Sequence, residues 1–172
     1  MVTSKRKLSA ALLVYRYRPT DDTTDGTTDG ELEVLIAHMG GPYWAKKDEA
    51  GWSIPKGEYE PPEEPLAAAL REFEEEMGSP APAGPYLELG EVKQPSGKIV
   101  TTYAVQGDFD VTGFVSNLFE LEWPRGSGRM QEFPEMDRAA WFPLDQARLK
   151  LVKGQTPILQ ALTAALPPPT PR

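Results

Sequence analysis

Residues 57–78 read GEYEPPEEPLAAALREFEEEMG, and this stretch decides the fold. Pro65 suits a first helical turn, Glu63 and Glu64 favour the positive end of the helix dipole, and Gly78 followed by Pro80 stops the run, so the pattern predicts a helix over Pro65 to Met77. Leu66, Leu70, Phe73 and Met77 fall on one stripe at helical spacing and read as core. Glu72, Glu75 and Glu76 stand at i, i+3 and i+4 and share about a third of the circumference at 100° per residue, beside that stripe, while Glu74 points elsewhere. A solvated acidic face is the ordinary explanation of such a run. Against it, like charges at these spacings repel, the negative end of the helix dipole adds to the cost, and no lysine lies within a turn to compensate. A carboxylate cage for a divalent cation has that character before the metal arrives.

Outward from the helix, composition narrows the chemistry. The 172 residues hold no cysteine and one histidine, which removes disulfide scaffolds, thiolate zinc, iron–sulfur clusters and cysteine nucleophiles, and leaves little for a serine–histidine triad. Any metal would be held by oxygen, as Mg²⁺ or Mn²⁺ are. A net charge of −8 argues against a nucleic-acid polymer as partner, though phosphate substrates remain possible with a divalent cation between. No run has the length of a membrane span, and the basic start followed by Leu8 to Val14 lacks a cleavage region, so a strand and a cytoplasmic protein are expected.

Leu8 to Arg18 and Glu31 to His38 read as a hairpin with a mobile acidic loop at 19–30, Trp52 to Ile54 as a short strand, Tyr86 to Gln94 and Lys98 to Gln106 as a hairpin about Pro95-Ser96-Gly97. Asn117 to Trp123 and Arg138 to Phe142 follow as strands, Leu144 to Val152 and Pro157 to Leu166 as helices. The expectation is one α/β (α+β) domain over 1–166 with a disordered proline-rich tail at 167–172.

Gly57, Glu63 and Arg71-Glu72-Phe73-Glu74-Glu75-Glu76-Met77-Gly78 together resemble the Nudix box of the Nudix hydrolases, with every fixed Gly, Glu and Arg at its spacing. A chance match somewhere in the chain is on the order of 10⁻⁵. Ser79 stands where the box closes on an aliphatic residue, which touches packing and no ligand. The resemblance implies a mixed β-sheet sandwiched between α-helices and hydrolysis of a nucleoside diphosphate linked to another moiety. It also implies Mg²⁺ or Mn²⁺ held by Glu72, Glu75, Glu76 and the Gly57 carbonyl, with Arg71 orienting Glu72 or, more plainly, pairing with Glu63 or Glu74. The wording of Trp52 to Gly57 is similar to members acting on dinucleoside polyphosphates or diphosphoinositol phosphates.

Lys56 is placed to meet a phosphate oxygen, as a solvated loop lysine would also be, and Lys46 and Lys47 less so. Tyr43 and Trp44 could stack on a base or anchor their loop. Glu63 and His38 read as structural. The general base is expected in the loop Gln131 to Asp137, with Glu135 ahead of Glu132, or else on the box helix as Glu72. The substrate expected first is a small phosphorylated molecule, a nucleoside or dinucleoside polyphosphate. ADP-ribose, a diphosphoinositol polyphosphate and a ligand sensor without turnover stand as alternatives. A helix that binds Ca²⁺ incidentally lacks the EF-hand loop.

Overall fold

The computed structural model describes residues 5–19 and 30–168, so the expected acidic loop, apart from its ends, and residues 169–172 of the tail lie outside the described residues. Among the described residues, nine strands and three α-helices follow one another: β1 Leu8–Arg18, β2 Glu31–Met39, β3 Trp52–Ser53, β4 Lys56–Tyr59, α1 Pro65–Met77, β5 Tyr86–Lys93, β6 Ile99–Gln106, β7 Leu118–Glu122, β8 Met130–Pro134, β9 Met136–Pro143, α2 Leu144–Lys150 and α3 Thr156–Ala165. Seven strands form one mixed sheet in which β1 runs parallel to β6 and antiparallel to β2 and β4. β7 and β8 form a separate antiparallel pair.

β1 is apolar along both faces because both faces are covered. Ala10, Leu12 and Val14, with Leu35 and Ala37 of β2, pack against Ala68, Ala69, Phe73 and Met77 of α1. The alternate residues Ala11, Leu13 and Tyr15, with Val34 and Ile36, pack against Ala147, Ile158, Leu159 and Leu162 of α2 and α3. Full burial of a side chain such as Phe73 stabilises by about 1.5–3 kcal/mol.

Gly78 ends α1 in the left-handed region at φ 78°, and its N–H donates to the Glu74 carbonyl at 2.8 Å. That conformation is what glycine supplies without a Cβ penalty.

The sheet divides where the chain enters the box. β1 and β2 pair from Tyr15↔Val34 to Arg18↔Glu31, then part company. β3 pairs with β2 at Ala37 and His38, β4 pairs with β1 from Leu8 to Ala11, and Ile54-Pro55 crosses between them. The crossing leaves the Ile54 N–H without a strand partner. The buried Gln155 side chain takes it at 2.8 Å through Oε1 and donates from Nε2 to Ser53 Oγ at 2.9 Å.

Candidate active site

Alternation along β4 aims Gly57 at α1, since its partner Ala10 belongs to the α1-side core. A Cβ built on Gly57 would lie 1.9 Å from the Glu72 carboxyl carbon, so the absence of a side chain is what lets Glu72 rest on the strand. Glu76 is buried one turn on, and its Oε2 accepts the Lys56 backbone N–H at 3.2 Å. Desolvation first, then the Glu135 and Glu72 carboxylates, push Glu76 up to about 8 against the pull of the Lys56 amide and ammonium. Burial also raises Glu72, with Arg71 opposing.

The reading of an uncompensated acidic face is corrected here. Arg71 donates from Nε and Nη2 to the two oxygens of Glu63 at 2.8 and 3.1 Å, and from Nη1 to Glu72 at 2.8 Å and Glu75 at 3.3 Å. The fork geometry of guanidinium and its long stem let one residue adjacent to Glu72 in sequence reach three carboxylates. Glu63 is thereby held below the ordinary carboxylate range by its Arg71 hydrogen bond, and Arg71 is raised by the same contact. Glu74 takes no part in this ion-pair network.

Gln131 to Pro134 do not form a loop. They belong to β8, whose Glu132 is exposed and sits opposite Glu120. The segment carries one apolar side chain before its proline, and only pairing with β7 makes it a strand. Glu135 follows directly and is pinned by its main chain: its N–H donates to the Asn117 carbonyl at 2.8 Å and its carbonyl accepts Gly40 N–H at 2.9 Å. Asn117 N–H in turn donates to the Glu75 carbonyl at 3.1 Å. Burial, then Glu72 and Glu75, raise the Glu135 carboxyl. Glu135 thus joins the box glutamates from a distant part of the chain. An open cleft of about 500 Å³ lies alongside, lined by Arg71, Glu75, Val115, Asn117 and their neighbours. Among the described residues, no three acidic or histidine side chains already stand as a closed metal cage.

Tyr43 is half exposed and packs edge-on against Trp123, ring centres 5.4 Å apart; Trp123, just past β7, has no signal in the sequence beyond being aromatic. Trp44 carries the Lys47 ammonium 4.8 Å from its ring centre, and Lys46 is exposed. His38 is fully buried, with Nε2 against the Lys47 carbonyl and Nδ1 2.8 Å from Asp137, so it fastens the aromatic loop to β2 and β9. The Lys56 side chain leaves β4 on the face opposite Gly57, because its partner Ala11 faces α2 and α3. Its amide donates to Glu76, and its ammonium pulls on the same carboxylate.

Replacing Gly57 by Ala is expected to leave the fold intact, since the Glu72 carboxylate is the far end of a flexible side chain and can swing aside. The swing removes Glu72 from its seat. Thermal unfolding within a few degrees of the parent, together with a fall in turnover of about 10²-fold for a displacement near 1 Å, is the expected pair of readings.

Comparison with known proteins agrees with this geometry. The family profile described as "NUDIX domain" matches residues 24–162. Among solved structures, the chain is similar to the NUDIX domain of Shewanella oneidensis NrtR complexed with ADP ribose, at 15% identity and TM-score 0.59, covering 94% of this chain and 88% of that one. It is similar to a C. elegans Ap4A hydrolase binary complex at 19% identity and TM-score 0.53, covering 91% and 96%. It is also similar to a mutT/nudix family protein from Listeria innocua at 18% identity and TM-score 0.57, covering 92% of each chain. No curated protein sequence matches closely enough to count as a relative. At these identities the solved structures speak for the fold, and the mixed sheet between helices is theirs as well. With the profile spanning most of the residues and Glu72 seated on Gly57, the chain belongs to the NUDIX domain family.

Proposed function

We propose that this protein is a divalent-metal-dependent hydrolase that cleaves a phosphoanhydride bond in a nucleoside or dinucleoside polyphosphate. The observation that supports it is the seating of Glu72 on Gly57 and of buried Glu76 on the Lys56 amide, with Glu135 close enough to raise Glu76, which is pushed up to about 8. Carboxylates that raise one another's affinity for a proton have a corresponding appetite for a cation.

The donor set fits Mg²⁺ or Mn²⁺: the side-chain oxygens of Glu72, Glu75 and Glu76 and the Gly57 carbonyl are all hard, and the glycine leaves the room they need. Bound there, the metal would neutralise the phosphate oxygens and polarise the phosphorus centre. Arg71, itself anchored on Glu63, keeps Glu72 and Glu75 in one orientation, a positioning role. Glu135 holds an elevated proton affinity on a fixed backbone, the properties of a general base for the attacking water. Tyr43, steadied by Trp123, offers an exposed ring for a base to stack on, with Trp44 and Lys46 on the same loop.

The experiment is a panel of dinucleoside polyphosphates, nucleoside triphosphates, ADP-ribose and diphosphoinositol polyphosphates with Mg²⁺ or Mn²⁺, read by released phosphate or nucleotide. The similar C. elegans protein is an Ap4A hydrolase, which supports the first class, and the similar Shewanella domain holds ADP ribose, which places that compound in the panel. Turnover of nucleoside or dinucleoside polyphosphates is expected. Exclusive turnover of diphosphoinositol compounds would overturn the substrate class, and binding without turnover would make the protein a sensor.

A further inference from the structure

His38 is the one histidine of the chain, it is fully buried on β2, and both of its ring nitrogens face acceptors. Nδ1 lies 2.8 Å from Asp137 Oδ1, and Nε2 is in hydrogen-bond contact with the Lys47 carbonyl oxygen. A neutral imidazole has one N–H and one lone pair, so it serves one of these oxygens and turns the lone pair on the other. An imidazolium serves both, with the Asp137 carboxylate as its counter-ion.

The charges about the ring suit that state. From β9 come Asp137 and Arg138, whose guanidinium stands 3.9 Å from Asp137 and 5.2 Å from the centre of the Trp52 ring. From β3 comes Trp52 itself, edge-on to His38 with ring centres 5.3 Å apart. From α2, Lys150 reaches the same indole at 5.9 Å and is paired with Asp48, which also accepts the Trp52 Nε1–H at 3.2 Å. The Lys47 ammonium is turned onto Trp44. Asp48 thus answers Lys150, and Asp137 is the carboxylate in contact with the ring.

The two ring protons are not equivalent. One lies on a carboxylate and the other on a neutral carbonyl, and the hydrogen bond to the charged acceptor is the stronger. A ring that gives up one proton therefore keeps Nδ1–H and turns a lone pair on Lys47. That contact is the anchor of the loop. Between Gly40 and Ala50 the main chain makes two bonds of its own, Trp44 N–H to the Gly41 carbonyl and Lys47 N–H to the Trp44 carbonyl. Among the described residues, its one main-chain hydrogen bond to the rest of the protein is the bond from His38. The anchored stretch carries Tyr43, Trp44 and Lys46.

We infer that His38 is a positioning residue that seats the aromatic loop only while both ring nitrogens carry a proton, so that substrate affinity falls when Nε2 gives its proton up. The inference rests on the assignment of Tyr43, Trp44 and Lys46 to the substrate, proposed above. A ligand that needs the seated loop binds more weakly in proportion to the fraction of molecules in which the loop is unseated.

With one histidine in the chain, isotope-labelled histidine gives a single pair of ring-nitrogen NMR signals. These are followed across a pH titration of the whole chain beside the amide signals of residues 41–47, with KM and kcat for Ap4A and Mg²⁺ measured over the same range. On the acid side both ring nitrogens are expected to carry protons. Through the transition Nε2 alone should lose its proton, the 41–47 signals should move, and KM should rise about 10-fold, the worth of one hydrogen bond from a charged donor. Asp137→Asn keeps the size and offers an amide N–H to Nδ1, so a neutral ring can hold Nε2–H on Lys47. In that variant the loop signals and KM should stay level over the same range. The box carboxylates titrate in both proteins, so the difference between the two KM profiles reads His38, and kcat should follow one pH profile in both. Loss of the Nδ1 proton first, an unprotonated Nε2 with the loop signals unmoved, or the same KM profile in parent and Asp137→Asn would overturn the inference. If Ap4A is not turned over yet ring and loop signals follow this course, the substrate reading fails and the anchor stands.

Discussion

Glu135→Gln is expected to lower kcat by about 10²–10⁴, the usual contribution of a positioned base, while Mg²⁺ affinity stays within a few-fold. The substitution keeps volume, and the two hydrogen bonds that pin residue 135 belong to its main chain, so Gln inherits the same position. Only the proton acceptor is lost. Glu132→Gln should leave kcat near the parent value, since Glu132 is exposed on β8 opposite Glu120. Steady-state kinetics and a metal titration on both variants check the assignment. A fall confined to Glu132→Gln would move the base three residues upstream, and no fall in either would return it to Glu72.

The second large effect belongs to Glu76→Gln, which should reduce turnover by about 10³-fold or more, as loss of a metal charge clamp removes several kcal/mol of transition-state stabilisation. The metal-free protein should respond in the opposite sense. The folded Glu76 carboxyl titrates at about 8, raised from 4.5, so its contribution to stability is fully present below pH 4.5 and is lost as pH rises through 8. Over that window the unfolded chain has released the proton and the folded chain still holds it, because burial and the Glu135 and Glu72 carboxylates disfavour the charged form, with Lys56 opposing. Glutamine carries no charge and keeps an amide oxygen for the Lys56 N–H. In chelator, Glu76→Gln should therefore match the parent at about pH 4 and exceed it at about pH 8 by on the order of 3 kcal/mol. Denaturant unfolding at the two pH values reads this directly. A variant less stable than the parent at the higher pH would sink the assignment of a strained carboxyl.

The helix Pro65 to Met77 was legible to the residue, because a proline, a glycine and an apolar stripe mark it without help from tertiary contacts. β1 was equally plain as an apolar run. β4 and β8 were not. Lys56-Gly57-Glu58-Tyr59 has one side chain with an apolar body, and its strand character comes from β1 alongside it, in a register running from Leu8↔Tyr59 to Ala11↔Lys56 that no local pattern records. The gathering of Glu72, Glu75 and Glu76 followed from helical period. Arg71 as their common counter-ion did not, since a search for cations at i±3 and i±4 of Glu72 passes over a side chain long enough to fold back from i−1. Lys56 illustrates the same limit: its place next to Gly57 in sequence put it opposite Gly57 across the sheet.

The main-chain bonds that run from Glu75 to Asn117, from Asn117 to Glu135 and from Glu135 to Gly40 have a bearing on how such a protein can change over generations. They join the box helix, the β7–β8 pair and the aromatic loop without engaging a single side chain. Drift at Tyr43, Trp44, Trp123 or along the hairpin can alter the surroundings of the cleft, while the spacing between helix and Glu135 is inherited unchanged. The positions that carry the bonds are the ones held still. Proline, which has no N–H to give, is barred from 117 and 135, and residue 40 stays glycine because a Cβ there would lie 1.8 Å from the Pro134 carbonyl oxygen.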